Sequence, residues 1–259
     1  MLLLAKWQSA VVVAAMAASL CGGCAAGPNP ADPWEKTNRS IYNFNEGLDR
    51  VALKPVADGY VKVVPKPIRT GIGNGFDNLV YFNVVFNDVL QNKWTQGVGD
   101  FGRFAVNSTI GIGGIFDVAT QWSLPAHEND FGITMRKWGA GPGPYLVLPF
   151  FGPSTVTDSS GLAVKYLADP LTWLNPPLVV TIPLYTTGAV DLRSRFDSIV
   201  RFRNESAIDP YVFTREAYLQ YRQQKAQEGK PAASTGPSLY DEDTDTTPAA
   251  TQPAPQPGK

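Results

Sequence analysis

Asp32-Pro33-Trp34-Glu35 opens the stretch of sequence that decides the fold, and this stretch continues to Val51. An aspartate followed by a proline and then, three residues after the aspartate, a glutamate is typical of a helix N-terminus. Apolar side chains then recur at steps of three or four residues, with one gap at Thr37: Trp34, Ile41, Phe44, Leu48 and Val51. The spacing predicts an amphipathic helix capped by Asp32. Pro55 is expected to end this helix.

The rest of the chain predicts a mostly α-helical fold with frequent interruptions. With 44% hydrophobic residues the chain can bury a core, and its 24 glycines and 22 prolines favour short helices joined by ordered loops. Long uninterrupted helices are not expected. Residues 68–79 carry glycine at positions 71, 73 and 75, and here the pattern fits a helix or a loop. Asp209-Pro210 repeats the cap-plus-proline device and predicts a second clear helix, ending near Ala226.

Three apolar stretches have a character that suits a membrane surface. Residues 79–90 are too few to cross a bilayer, residues 146–153 read as a proline-broken apolar loop, and residues 170–190 are interrupted by three prolines. Such segments can lie within one leaflet of a membrane, which would make the protein monotopic. They can equally form the core of an ordinary domain, and composition alone does not separate the two.

The N-terminus predicts export and lipid anchoring. Residues 1–23 combine an early lysine with a short apolar run and small residues, as a secretory signal does. Cys24 is the candidate lipidation site, with Cys21 as the alternative, and a secreted protein without an anchor is the competing interpretation. The residue after Cys24 is alanine and not aspartate, which favours the outer membrane. Residues 24–31 form a tether, and the polar residues 229–259 are expected to be disordered.

Composition argues against several functions. A net charge of −1 and a pI near 5.9 supply no basic surplus for nucleic acid, so no nucleic-acid partner is expected. The chain has a single histidine, His127, and both of its cysteines lie near the N-terminus, which leaves too few ligands for a typical metal site. There is no Gly-x-Ser-x-Gly motif, and a hydrolase would depend on His127 alone. We therefore predict no enzyme, no metal and no cofactor.

A series of motifs, in order, resembles the MlaA (VacJ) family of outer-membrane lipoproteins. The motifs are Asp32-Pro33-Trp34-Glu35-x-x-Asn38-Arg39, Tyr42-Asn43-Phe44-Asn45, Asn87-Asp88-x-Leu90-Gln91, Asn107-Ser108-Thr109-x-Gly111, Gly113-Gly114-x-x-Asp117-Val118-Ala119, Asp130-Phe131-Gly132, Trp138-Gly139 and Gly143-Pro144-Tyr145-x-x-Leu148-Pro149. The resemblance is dense over residues 34–175 and weaker around 209–218. One departure stands at Thr157, which occupies the place before Asp158 where the family usually carries arginine.

The resemblance implies a fold and a function. Residues 32–228 would form a ring-like helical domain in the periplasmic leaflet of the outer membrane, enclosing an amphipathic channel beside a trimeric porin. Phospholipids misplaced in the outer leaflet would pass through this channel to a soluble periplasmic carrier of the Mla pathway, which maintains the lipid asymmetry of the outer membrane. The alternative is a structural, porin-associated lipoprotein that moves no lipid.

Candidate site residues fall into two groups. The channel or hinge candidates are Asn43, Phe44, Gly141, Gly143, Pro144, Tyr145, Leu148, Pro149 and Gly152. Residues 141–152 are expected to be a flexible channel wall, because glycine allows hinge-like backbone changes, while rigid packing remains the alternative. Arg103 and Lys137 are candidate phosphate contacts, against a reading in which both charges are solvated or ion-paired.

Overall fold

The computed structural model describes residues 29–174 and 176–228, and these residues form eleven α-helices and one β-hairpin. The helices are α1 (Glu35–Leu48), α2 (Lys54–Val63), α3 (Lys66–Leu90), α4 (Trp94–Thr109), α5 (Val118–Gln121), α6 (Phe131–Lys137), α7 (Val156–Ala168), α8 (Pro170–Leu174), α9 (Leu178–Arg195), α10 (Asp197–Ser206) and α11 (Pro210–Glu228). Strands β1 (Tyr145–Leu148) and β2 (Gly152–Thr155) form the antiparallel hairpin between α6 and α7. The prediction of a mostly helical fold is confirmed. The predicted signal sequence, the candidate lipidation sites Cys21 and Cys24 and the predicted tail 229–259 lie outside the described residues.

The beginning of α1 differs from the sequence-based expectation. The helix starts at Glu35, and Asp32 does not cap it. The Asp32 carboxylate is fully buried and instead accepts hydrogen bonds from Asn38 Nδ2 (2.7 Å) and from the α11 residues Tyr211 and Arg215. Pro55 does not end the helical run either, since a π-helical segment follows α1 and Pro55 lies in the first turn of α2. The proline therefore stands where the helical run changes from π-helical to α-helical geometry.

Helix α3 is one continuous helix of 25 residues, so the expectation that long helices would be absent was wrong. It includes the glycine-rich segment 68–79 that sequence alone left open between helix and loop. Two of these glycines are buried, and a Cβ atom at Gly71 would lie 3.0 Å from the Ile115 side chain. The glycines therefore let the turn after α4 pack closely on α3, and this contact stabilises a helix whose propensity alone is poor.

The stretch 146–153 is a hairpin and not an irregular loop. Tyr145 pairs with Thr155 and Leu148 pairs with Gly152, and the side chains of Tyr145, Leu146 and Val147 are buried. Helix α1 holds β1 through one amide side chain, because Asn38 donates from Nδ2 to the Tyr145 carbonyl (3.1 Å) and accepts from the Val147 amide (2.9 Å). The hairpin is thus part of the buried structure at its base.

Few apolar side chains are buried together in the described part of the chain. The main cluster consists of Tyr42, Tyr145, Val147 and Tyr211. Elements distant in sequence are instead joined by arginine–carboxylate pairs: Arg215–Asp32, Arg222–Asp130, Arg222–Asp158, Arg193–Asp49 and Arg203–Glu46. Each of these four arginines is less than a tenth exposed. Buried ion pairs therefore connect α9, α10 and α11 to α1 and its flanking residues, and α11 also to the segments around α6 and α7.

Much apolar surface is exposed along α8 and α9. Trp173 is 74% exposed, Leu178 is 72% exposed and Val179 is 78% exposed. Pro176 and Pro177 stand between α8 and α9, where the sequence predicted a break, whereas Pro183 lies inside α9 and does not end it. In the described ranges, no helix combines the length and the apolar character required to cross a membrane.

Replacing Arg215 should show how strongly the fold depends on these pairs. Arg215→Ala leaves the fully buried Asp32 carboxylate without its cation, and we expect the free energy of unfolding to fall by about 3 kcal/mol or more. Arg201→Ala, which removes an exposed partner of Asp197, should cost at most about 1 kcal/mol. Denaturant unfolding of the detergent-solubilised protein measures both, and equal losses would contradict the structural role of the buried pair.

Candidate functional site

The described elements line a half-open cavity of about 660 Å³. Helices α3, α4, α7, α9 and α11 contribute to its wall, together with residues 126–130 and the hairpin. This volume falls within the range of roughly 300 to 1,000 Å³ found for ligand pockets. The cavity is the candidate functional site because so many elements distant in sequence converge on it.

The wall of the cavity is amphipathic. Apolar side chains come from several elements: Val80, Val84, Leu148, Phe151, Leu162, Leu192 and Phe196. Polar and charged side chains lie among them, including Asn74, Asn78, Asn83 and Asn107. A wall of this kind can accommodate a molecule that has both an apolar and a charged part.

An arginine–carboxylate cluster forms one side of the cavity. Arg222 of α11 lies 2.9 Å from Asp130 Oδ1 and 2.6 Å from Asp158 Oδ1, and Arg136 also contacts Asp158 at 3.1 Å. Burial raises the pKa of the Asp130 carboxyl, but the hydrogen bonds and charge of Arg222 outweigh burial and hold this pKa below its usual value. The cluster is therefore a fixed, charge-balanced part of the wall.

The two candidate phosphate contacts lie in different places. Arg103 lines the cavity, and its guanidinium donates to Asp117 (2.7 Å), Thr120 (2.9 Å) and the Leu124 carbonyl (2.7 Å). Lys137 is exposed at the end of α6 and is not among the residues that line this cavity. Burial and the neighbouring charge of Lys137 lower the pKa of Lys93. A phosphate-binding role for Arg103 or Lys137 stays a prediction.

The hairpin candidates are distributed along one structural unit. Leu148 lines the cavity, Tyr145 is buried behind it, and Pro144 and Pro149 flank β1. Gly143 (φ 66°) and Gly152 (φ 77°) adopt the left-handed conformation that favours glycine, and the Gly141 carbonyl accepts a hydrogen bond of 2.6 Å from Thr157. Gly143 and Gly152 thus stand on either side of β1, and a hinge motion at these glycines remains a prediction.

The tip of the hairpin is held by α1. The ring of Phe44 meets that of Phe150 edge to face at 5.6 Å, while Asn45 donates to the Leu148 carbonyl (3.0 Å) and accepts from the Phe150 amide (2.9 Å). Asn43 lies in a separate charged groove beside Arg39 and does not line the cavity. Sequence reasoning missed Asn45, although it stands seven residues after Asn38 and therefore on the same face of α1.

A second polar cluster lies beside the cavity. The fully buried Asp100 carboxylate accepts from the Tyr81 hydroxyl (2.6 Å) and contacts His127 Nδ1 (2.8 Å). Asp88, also fully buried, accepts a hydrogen bond from Asn129 (2.7 Å). Burial, followed by the hydrogen bond with the Asp100 carboxyl, raises the pKa of Asp88 to about 7. The Asp88 carboxyl therefore keeps its proton to a higher pH than an ordinary aspartate does.

The raised pKa of Asp88 predicts a loss of stability as pH rises. Between the unfolded aspartate pKa of 3.8 and the folded pKa of about 7, the folded protein retains a proton that the unfolded chain has already released. The resulting stabilisation is fully present below pH 3.8 and is lost progressively as pH rises to about 7. We expect wild type to lose stability from pH 5 to pH 8 and Asp88→Asn, which mimics the protonated acid, to lose less. Urea unfolding at both pH values measures this, with the exposed Asp58→Asn as control, and identical pH dependence in Asp88→Asn and wild type would refute the assignment.

Within residues 29–174 and 176–228, no cluster of three or more histidine, cysteine, aspartate or glutamate side chains is arranged to hold a metal ion. The fold and the cavity define a class of helical protein in which a hairpin and ion-paired helices surround one amphipathic space. A family model described as MlaA lipoprotein matches residues 30–225. The chain belongs to the MlaA lipoprotein family.

Individual relatives agree with this assignment. A protein of Shigella flexneri named intermembrane phospholipid transport system lipoprotein MlaA is 36% identical over 215 residues, which cover 80% of this chain and 84% of the relative. Proteins of the same name from Escherichia coli and Haemophilus influenzae are 35% and 32% identical, covering 80% and 77% of this chain and 84% and 80% of those relatives. A solved structure described as "Structural basis for maintenance of bacterial outer membrane lipid asymmetry" is similar with a TM-score of 0.64 and 32% identity, covering 75% of this chain and 98% of that one.

Proposed function

We propose that this protein removes misplaced phospholipids from the outer leaflet of the outer membrane through its cavity, and so maintains lipid asymmetry. The observation that carries the proposal is the amphipathic cavity in a fold shared with lipoproteins named for intermembrane phospholipid transport. A phospholipid has an apolar and a charged part, as the cavity wall does. Moving a lipid through such a space requires no bond-making step, so we assign the chain no enzymatic activity.

The exposed apolar surface supports insertion of the protein into one leaflet of the membrane. Trp173, Leu174, Leu178 and Val179 are each at least 72% exposed, and Phe150 at the hairpin tip is 72% exposed. An exposed apolar surface of this extent marks an interaction site, and a leaflet would bury it. We infer that these residues insert into the periplasmic leaflet of the outer membrane as a monotopic protein. The cavity would then open next to the lipid that it receives.

The anchor and the protein partners complete the proposal. Lipidation at Cys24 would attach the domain, residues 32–228, to the membrane through the tether 24–31, with Cys21 as the alternative attachment. Acyl chains contribute about 0.8 kcal/mol for each buried methylene group, so several chains form a lasting anchor. A trimeric porin would stand beside the protein, and a soluble periplasmic carrier would accept the lipid.

Cells that lack the protein should accumulate phospholipid in the outer leaflet. An impermeant amine-reactive label applied to intact cells measures outer-leaflet phosphatidylethanolamine, and we expect labelling to rise on deletion. Wild type should reverse the rise, whereas Cys24→Ala should not, because lipidation would attach the domain to the outer membrane. Unchanged labelling in deletion cells with a damaged envelope would instead favour a structural role beside the porin.

The Asn45 contacts offer a test of whether the hairpin is a hinge or rigid packing. Asn45→Ala removes both hydrogen bonds to the tip, and we expect amide exchange at residues 148–151 to speed up by about tenfold. Thr37→Ala, an exposed change on the same helix, is the control. If the hairpin governs lipid passage, outer-leaflet labelling should rise in Asn45→Ala cells. Faster exchange with unchanged labelling would show that the hairpin only packs.

A further inference from the structure

The charges around the cavity are almost completely matched. Five carboxylates line it, and each has a cationic partner: Asp77 with Arg195 (2.8 Å), Asp117 with Arg103 (2.7 Å), Glu128 with Lys225 (2.7 Å), Asp130 with Arg222 and Asp158 with Arg222 (2.6 Å). None of these carboxylates carries an uncompensated negative charge into the space. The wall therefore does not repel an anion as a row of free carboxylates would.

Lys165 differs from the other cationic residues of the wall. Arg103, Arg195 and Arg222 are all ion-paired, and the His127 ring is bound to Asp100 through Nδ1. Among the residues that the structure describes, the ammonium group of Lys165 forms no ion pair and no hydrogen bond. Since every carboxylate of the wall is already matched, the charge of Lys165 gives the cavity a local positive excess.

The position of Lys165 connects the cavity to the apolar outer surface. Gly161, Leu162 and Lys165 follow each other at helical spacing on α7 and line the cavity. The next two residues, Tyr166 and Leu167, are 65% and 57% exposed and do not line it. Lys165 is thus an exposed residue of the cavity wall, next to an apolar outer surface.

We propose that Lys165 binds the phosphodiester of a phospholipid inside the cavity. This inference rests on the proposed function and adds to it the residue that recognises the headgroup. A lysine offers three N–H donors and a compact charge that a phosphate oxygen accepts, and it needs no fixed geometry from a passing ligand. Leu162 and Leu192 of the same wall supply apolar contact for the acyl part. A neutral lipid lacking phosphate gains nothing from the lysine.

The test is a binding titration with the full-length protein in non-ionic detergent. The probes are short-chain phosphatidylglycerol, the matching diacylglycerol without phosphate, and glycerol 3-phosphate without acyl chains. Lys165→Ala is compared with wild type, with Lys165→Arg, which keeps the charge, and with Lys36→Ala, an exposed lysine on α1 outside the cavity. Circular dichroism verifies that each variant is folded.

We expect Lys165→Ala to weaken phosphatidylglycerol binding by about tenfold, as the loss of one charge-assisted contact predicts. Diacylglycerol binding should not change, Lys165→Arg should restore most of the affinity, and Lys36→Ala should match wild type. Equal phosphatidylglycerol affinity in wild type and Lys165→Ala would overturn the role of Lys165 and leave the proposed function intact. Wild type that binds no phospholipid would overturn both. Glycerol 3-phosphate bound as tightly as the lipid would show a site for soluble phosphates instead.

Discussion

The described structure depends on the pairing of buried arginines with carboxylates. Asp32, before the first helix, is fully buried against Arg215 and Tyr211 of the last helix, and Arg222 of the same helix binds Asp130 and Asp158. The apolar cluster of buried residues is small in comparison. Removing charges from water is costly, and the cost is offset only where each charge has a well-placed partner. Removing one member of such a pair is therefore expected to destabilise the fold.

This arrangement explains how helices can surround a cavity. A protein with one compact apolar core fills its interior, since apolar side chains pack most favourably against each other. Here the helices meet at ion pairs and hydrogen bonds, so they can stand around a space and keep it open. Apolar side chains are left to face outward, as Trp173 and Val179 do, or inward, as Leu162 does. The amphipathic wall and the apolar exterior both follow from joining the helices through ion pairs and hydrogen bonds.

Much of the helical fold could be predicted from sequence, because capping and periodicity are local. Asp209 caps α11, as its Asp-Pro motif predicted. Its carboxylate accepts hydrogen bonds from the backbone amides of Tyr211 (3.0 Å) and Val212 (3.2 Å). Asp32 carries the same motif and was misassigned, since its carboxylate serves a partner 183 residues away. Pro55 and the length of α3 were misjudged for a related reason. The low helix propensity of proline and glycine indicates a break in a helix. In α3, close packing of Ile115 on Gly71 stabilises the helix despite this low propensity.

The site could be predicted only in part. Motif resemblance indicated the hairpin region, but register and burial of β1 depend on amide contacts from Asn38 that no local pattern reveals. Arg103 was a candidate by residue type, and the structure shows that its donors already have partners in Asp117, Thr120 and Leu124. Lys165 was overlooked because a lone lysine in a helical segment has no distinctive signal. Its distinction is the absence of a partner within the described residues, which only the arrangement of the whole wall establishes.

The central claim is that phospholipid enters the cavity, and site-specific photo-cross-linking in living cells tests it most directly. A photoreactive amino acid at Leu162 faces the cavity, whereas one at Thr37 lies on the exposed side of α1 and serves as the control. The account predicts that phospholipid is covalently captured at position 162 and not at position 37. Capture at Trp173 on the outer surface, with none at position 162, would contradict it, since the lipid would then pass around the protein and not through it.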